Sequence, residues 1–276
     1  MRLTIRCVLC LLVALTIFSA SPANAQYRRF RAENRATGET WHVEFGVGLW
    51  QPPPDIVVSS ESLPGILGSD ISAQDDLGLQ KKWLKEYSLV LRPAKKHKFR
   101  VGYIPIAYSA DTVLKRKIIF NGQAYEFGIP INSSIQWNTW RFGYEYDFIY
   151  RDRGFLGVIL EAKYTDASVT IKNPFTTEFT KARAPIPTIG GIARVYPVAN
   201  ISLTGEVTGL KLPTGVDALK GYDGKYLDIN IYGTVNFTNY VAVQGGYRSI
   251  TVSYRKDSDR GDLVLQGPYV MAVVRY

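Results

Sequence analysis

From residue 40 onward the chain alternates between apolar and polar positions. In residues 40–50, Trp41, Val43, Phe45, Val47 and Leu49 share one parity, and His42, Glu44, Gly46 and Gly48 share the other. In 135–150, Trp140, Phe142, Tyr144, Tyr146 and Phe148 oppose Thr139, Arg141, Gly143, Glu145 and Asp147. In 155–169, Leu156, Val158, Leu160, Ala162 and Tyr164 oppose Gly157, Glu161 and Lys163. In 225–237, Leu227, Ile229, Ile231, Val235 and Phe237 oppose Asp228, Asn230, Thr234 and Asn236. A side-chain period of two predicts strands with one apolar face. Weaker versions at 84–92, 97–108, 186–197, 200–212, 240–254 and 263–276 bring the expectation to ten strands. No segment sustains a helical period.

The connections alternate too. Short ones at 93–96, 151–154, 198–199 and 238–239 interleave with longer ones at 51–83, 109–134, 170–185, 213–224 and 255–262. Short turns at one end and long loops at the other suit a closed antiparallel transmembrane β-barrel. The predicted fold is therefore all-β, a ten-stranded barrel with both chain ends on the short-turn side. Residues 114–130 resemble a hairpin around Asn121-Gly122. Its first arm is too polar for lipid and is expected to stand above the membrane. If it spans, the barrel has twelve strands. Pro105 and Pro268 fall inside strands, where each removes a ladder donor, so they are expected where pairing lapses.

The polar parity decides which face points inward. It carries Glu44, Glu86, Glu145, Glu161, Glu206 and Asp228 against Arg100, Arg141, Lys163, Arg194 and Arg248, interleaved with glycine. The bulky aromatics of 140–148 would not fit a small interior and are expected to face lipid. A ten-stranded lumen is narrow, and buried charges are tolerable only when paired. Glu44, Arg100, Arg141, Glu145, Glu161, Lys163, Arg194, Glu206, Asp228 and Arg248 are thus expected to form a salt-bridged lumen network.

Composition agrees with an inside-out arrangement. The 276 residues are 46% hydrophobic with a mean hydropathy of −0.06, and include 18 Tyr, 12 Phe, 5 Trp and 24 Gly. The neutral average hides the alternation. Only 2 Cys and 2 His are present, which argues against a zinc site, a Cys/His nucleophile or a disulfide scaffold. No metal or cofactor is expected. Residues 1–25 are expected to be a signal peptide, with Arg2 and Arg6 before an apolar core at 7–18 and Ala23-Asn24-Ala25 before the cut. Both cysteines leave with it. Residues 26–39 then form a periplasmic segment and 40–276 the barrel. Losing two arginines lowers the formal charge from +9 to +7. Arg28, Arg29, Arg31, Arg35, Lys95, Lys96, Arg151 and Arg153 would sit at the periplasmic edge, where lipid headgroups explain them better than nucleic acid.

With these features the chain resembles the bacterial small outer-membrane β-barrel proteins, broadly the OmpA/OmpW-like group. The most specific piece is the last strand, where Val270, Ala272, Val274 and Tyr276 lie on one face, similar to the signal read by the barrel assembly machinery. Pro268 and the lack of the usual inner glycine depart from that signal. The resemblance implies outer-membrane lipid, periplasmic chaperones and the assembly machinery as partners, and an outer-membrane location. A monomer is expected.

Candidate chemistry is sparse. Barrel proteases of the omptin type use paired acids and an Asp-His couple at the outer rim. Asp75-Asp76 could supply acids, but the histidines are His42 in the first strand and His97 beside a short turn. The His-x-Ser dyad of barrel lipid A deacylases is absent, since the tripeptides are His42-Val43-Glu44 and His97-Lys98-Phe99. His42 and Glu44 are read as members of the polar interior. Arg260-Gly261-Asp262 spells an adhesion tripeptide and is read as a solvated turn. Pro52-Pro53-Pro54 stiffens the exit from the first strand into the longest loop, where 56–76 could bind a ligand. The expected role is structural, or a narrow channel or surface-binding one, without catalysis. The alternatives are a rim enzyme acting on lipid or peptide, and a soluble exported barrel holding an apolar ligand.

Overall fold

In the computed structural model, residues 36–59, 69–120, 123–212, 222–256 and 259–276 are described. The expected signal peptide, residues 26–35 and the Asn121-Gly122 turn lie outside them. All described elements are strands: β1 (Val43–Trp50), β2 (Asp55–Ser59), β3 (Ile71–Ser72), β4 (Leu84–Ala94), β5 (His97–Val113), β6 (Ile118–Phe120), β7 (Gln123–Tyr125), β8 (Pro130–Arg151), β9 (Gly154–Lys172), β10 (Thr177–Val198), β11 (Ile201–Lys211), β12 (Tyr222–Asn236), β13 (Val241–Lys256) and β14 (Asp259–Arg275). The order β1-β4-β5-β8-β9-β10-β11-β12-β13-β14 is antiparallel throughout, and β14 pairs back onto β1 from Glu44↔Arg275 to Trp50↔Tyr269. These are the ten strands that alternation predicts. Closure leaves no open sheet edge within the ring. The 114–130 hairpin forms β6 and β7 in a separate two-stranded sheet, so it adds nothing to the barrel count.

Alternation is turned inside out, as expected. Phe45, Val47 and Leu49 of β1 are exposed while Glu44, Gly46, Gly48 and Trp50 face inward and are buried. Leu156, Val158, Leu160 and Tyr164 of β9 are exposed, whereas Glu161 and Lys163 are buried. The outward face of β8 changes chemistry along its length. Asn132, Ser134, Gln136 and Asn138 give way at Trp140 to Phe142, Tyr144, Tyr146 and Phe148. Trp140 lies between Tyr103 of β5 and Tyr164 of β9, and Tyr164 faces Pro185 of β10. That row marks one edge of the apolar belt. From Trp140 to Phe148 the strand advances roughly 26 Å at ~3.3 Å per residue. At the ~40° tilt of such barrels this is about 20 Å of height, close to the apolar band of a membrane barrel.

In-strand prolines sit where a neighbouring strand has stopped. The β4–β5 ladder ends at Tyr87↔Tyr103, just below Pro105. The β1–β14 ladder ends at Tyr269, beside Pro268. The β10–β11 ladder reaches only Ile189, below Pro185 and Pro187. Pro93 and Pro197 occupy register shifts between Leu91 and Ala94 and between Val195 and Val198. A missing N–H is tolerated at each, because it is a sheet edge or a bulge.

Several expectations are corrected. The presumed loop at 170–185 is mostly ladder, paired from Thr177↔Lys172 downward and closed by a turn at Asn173, whose Oδ1 accepts from the N–H groups of Phe175 and Thr176. Likewise β13 and β14 pair up to Lys256↔Asp259, so 255–262 is largely strand. The longest connection is no free loop: β2 pairs with β14 and β3. Trp41 is buried rather than lipid-facing, with the Arg92 guanidinium 5.5 Å from its ring centroid. His42 is exposed rather than inward, because the ladder starts only at Val43. Residues from Ala36 to Tyr276 form one compact unit.

Candidate functional site: a lumen closed in two layers

Each barrel strand contributes at least one charge to the interior, because each presents its polar parity there. The largest group forms one chain of contacts. Asp147 meets Lys98 at 2.9 Å, Lys98 meets Glu145 at 2.6 Å, and Glu145 meets Arg100 at 3.2 Å. Arg100 reaches Glu206 at 2.7 Å, and Glu206 meets Arg141 at 3.2 Å. Arg141 holds Glu161 at 2.7 Å, and Lys163 bridges Glu161 (2.9 Å) and Asp228 (3.3 Å). Asp228 receives Arg248 at 2.8 Å, and Arg248 ends the chain on Glu86. Two smaller groups flank it. Arg275 of β14 pairs with Glu44 of β1, and Glu39 receives Arg194 (3.0 Å) and Arg92 (3.5 Å). All ten residues expected in the network lie in these groups.

The groups balance. Eight acids (Glu39, Glu44, Glu86, Glu145, Asp147, Glu161, Glu206, Asp228) meet eight bases (Arg92, Lys98, Arg100, Arg141, Lys163, Arg194, Arg248, Arg275). An unpaired charge here would carry a desolvation penalty of several kcal/mol, and pairing offsets it. Of the residues not singled out as site members from sequence, Arg92, Lys98, Asp147 and Arg275 have the inward parity of their strands, so parity alone could have found them. Glu39 precedes the first strand and carries no such signal.

A strap closes the short-turn end. Ala36 N–H donates to Asp152 O (3.3 Å), Thr37 N–H to Ala199 O (2.7 Å) and Gly38 N–H to Asn239 Oδ1 (2.9 Å), so this segment touches three different turns. Glu39 then enters the mouth, where Tyr196 Oη donates to it at 2.6 Å.

An apolar plug closes the other end. Ile56, Ile71, Leu77 and Leu79 from the first long connection, and Leu114, Ile118, Phe120 and Tyr125 from around the β6–β7 hairpin, are buried in one core. Against them pack the inner faces of β5 and β8 through Ile104, Ile106, Tyr108, Ile131, Ile135 and Trp137. The hairpin therefore folds an apolar face into the mouth. Gly267 admits the plug chain, because a Cβ there would lie 2.5 Å from Gln51 O. Trp50 underlies the plug, fully buried, its Nε1–H donating to Gly267 O (3.2 Å) and its ring 5.8 Å from the Arg248 guanidinium. Trp50, Tyr108, Trp137, Tyr226, Tyr232 and Tyr269 are inward aromatics, so the aromatic residues are not confined to the lipid side. Within the charged network remains a polar cavity of about 80 Å³ lined by Glu44, Glu86, Arg100, Arg141, Glu161 and Glu206, among others.

A clasp ties the two plug segments. Arg116 donates from Nε and Nη2 to the two oxygens of Asp76 (2.7 and 2.6 Å) and to Asp70 O (2.6 Å). Burial raises the Asp76 pKa, but hydrogen bonds from Arg116 and the Ser72 N–H outweigh it and leave the carboxyl below its ordinary range. Asp75 is engaged by the Ser72 hydroxyl (3.1 Å). Both histidines lie at the opposite end: His42 Nδ1 is 3.1 Å from Arg92 O, and His97 Nδ1 is 2.6 Å from Tyr144 Oη. Arg260 and Asp262 pair with each other at 2.6 Å within β14.

No family model and no curated protein matches the chain. Solved structures do. The outer membrane protease OmpT from Escherichia coli is similar with a TM-score of 0.55 at 10% identity, over 85% of this chain and 97% of that one. The transport unit of the autotransporter AIDA-I from Escherichia coli (0.43, 8%, 85% and 90%) and a Pseudomonas aeruginosa FadL homologue (0.38, 8%, 85% and 90%) are further matches. The fold is thus that of a bacterial outer-membrane β-barrel.

Proposed function

We propose that this protein is an integral outer-membrane barrel whose lumen is sealed, and whose role is structural or carried by its outer surface. The balanced charge network across the lumen, capped by an apolar plug and a strap, carries this reading. A solute pore would need a continuous aqueous path, whereas here the interior is filled by paired side chains and the mouth by a packed core. The contiguous exposed apolar belt supports lipid rather than water around the barrel. Residues 1–25 would direct export, and Val270, Val274 and Tyr276, all exposed, would present the assembly signal to the barrel assembly machinery. Within outer-membrane barrels, the OmpA/OmpW-like group remains the proposed placement.

Catalysis is not part of the proposal. Asp75 and Asp76 are already bonded, and no histidine lies at their end of the barrel. Planar-bilayer recording on refolded protein, paired with solute uptake into proteoliposomes, tests the reading. The expected result is no steady conductance and no uptake. Sustained conductance at the level of an open pore would overturn it.

A further inference from the structure

Above the apolar belt, β5, β8, β9 and β10 continue as one four-stranded sheet. Its outward face is polar and nearly neutral. Ser109, Ser134, Thr170 and Phe179 form one row across the four strands. Gln136, Ser168 and Lys181 stand in the row below. Asn138 follows, beside Asp166 and Arg183, which neutralise each other at 2.9 Å. Neighbouring groups in a row are about 5 Å apart, held there by the ladder. Phe179 is 61% exposed, a bare ring on a face of hydroxyls and amides. At the top lies an open depression of about 690 Å³, walled by Val113, Pro130 and Pro174 and lined by Asp111, Asn132 and Lys172. Asn132 Nδ2 donates to Asp111 Oδ1 (2.9 Å), which orients both side chains. Among the described residues, no protein group takes the Asn132 carbonyl oxygen or the Lys172 ammonium.

We propose that this depression and the polar rows beneath it bind a neutral oligosaccharide outside the cell. Sugar rings carry hydroxyls that both donate and accept, and C–H faces that pack on apolar surface. The amides, hydroxyls, carboxylate and ammonium supply the matching hydrogen-bond partners. Val113, Pro130, Pro174 and the Phe179 ring supply the packing surface. The volume lies within the range of small-molecule sites. A protein partner would call for an apolar and aromatic core, which one ring does not make. From Trp140 to Asn132 the strand rises about 20 Å above the belt edge at the ~40° tilt of such barrels. Lipid headgroups reach only about 5–8 Å beyond the hydrocarbon, so the site stands clear of them. The inference rests on the reading that the outer surface carries the role.

The test refolds the full chain in a zwitterionic detergent without a sugar headgroup. Heat-modifiable migration scores the closed barrel, and failure there would overturn the barrel reading and the site with it. The folded protein is then passed over an array of immobilised neutral, carboxylated and sulfated oligosaccharides. The best neutral ligand is titrated in solution by calorimetry. Wild type is expected to retain a subset of the neutral glycans, with affinity changing less than about twofold as salt is raised. D111A/N132A should weaken binding by about tenfold, for two hydrogen-bonding side chains lost. F179A should weaken it several-fold. All three side chains are exposed, so both variants should fold as wild type does. A K211Q/K225Q control, on β11 and β12 outside this sheet, should bind like wild type. A folded barrel that retains no neutral glycan, or only acidic ones, would overturn the site alone. So would unchanged binding in D111A/N132A, or an equal loss in the control.

Discussion

Arg248 donates from Nε and Nη2 to both oxygens of Asp228, at 3.0 and 2.8 Å, while its remaining nitrogen reaches Glu86. This ties the neighbouring strands β12 and β13 to β4, which is paired with neither of them, across the lumen. Removing the guanidinium would leave two buried carboxylates short of a partner. Arg248→Met should therefore destabilise the barrel by about 3–5 kcal/mol. Arg183→Ala breaks the exposed pair with Asp166 and should change stability by less than about 1 kcal/mol. Urea unfolding in detergent micelles, followed by tryptophan emission, would compare the two. Equal effects would mean that the network does not hold the barrel together.

The belt edge at Trp140 gives a second expectation. Leu160 is outward and flanked by Tyr144 and Ile189, well inside the belt. Gln136 is also outward, on β8 beyond Trp140, opposite Ser168. Arginine at Leu160 should cost about 2–4 kcal/mol of folding into bilayers, while arginine at Gln136 should cost near zero. Folding yield in vesicles, read on unheated gels, measures both. A penalty at Gln136 as large as at Leu160 would move the lipid boundary.

Most of the wall was legible in the sequence because strand parity is a strict local rule. Once Phe45 faces out, Glu44 must face in, and the same rule reaches Lys98, Arg92 and Arg275. The rule fails where the ladder slips. Register shifts between Leu91 and Ala94, Tyr146 and Ile149, and Val195 and Val198 lie at the short-turn ends, and Trp41 and His42 precede the first pair altogether. The plug was not legible. Ile56, Ile71, Leu77 and Leu79 have no common period and sit among prolines, aspartates and serines, so they read as loop. Their burial comes from tertiary contact with Ile104, Tyr108 and Trp137, which no local pattern encodes. Glu39 was missed for the same reason.

The Asp76–Arg116 clasp should make the plug acid-sensitive. Asp76 has a carboxyl pKa lowered in the folded state, so its contribution is present above the unfolded value and lost as pH falls through the folded one. The ordinary value is 3.8, and loosening should begin below it. Pepsin cleavage within 69–83 is expected to rise steeply as the pH drops through that range. Asp76→Asn lacks the charge at every pH and should cleave readily already near pH 5, which lies above the ordinary aspartate range. Cleavage that is independent of pH in wild type, or unchanged in the variant, would mean that the clasp does not hold the plug.

Tyr276 is expected to separate folding from assembly. Tyr276 closes the seam through its backbone: its N–H donates to Val43 O, and its carbonyl accepts from the His42 and Val43 N–H groups. Its ring is 88% exposed and makes no buried contact that folding would need. Tyr276→Ala should refold in detergent with wild-type yield and a midpoint shifted by less than about 0.5 kcal/mol, as for exposed substitutions elsewhere. In cells the same variant should reach the outer membrane at a severalfold lower level if, as proposed, the exposed ring with Val270 and Val274 forms the assembly signal. Quantitative blotting of membrane fractions against in vitro yield measures the split. Parallel losses in both assays would make the ring a stability element, and wild-type levels in cells would remove Tyr276 from the assembly signal.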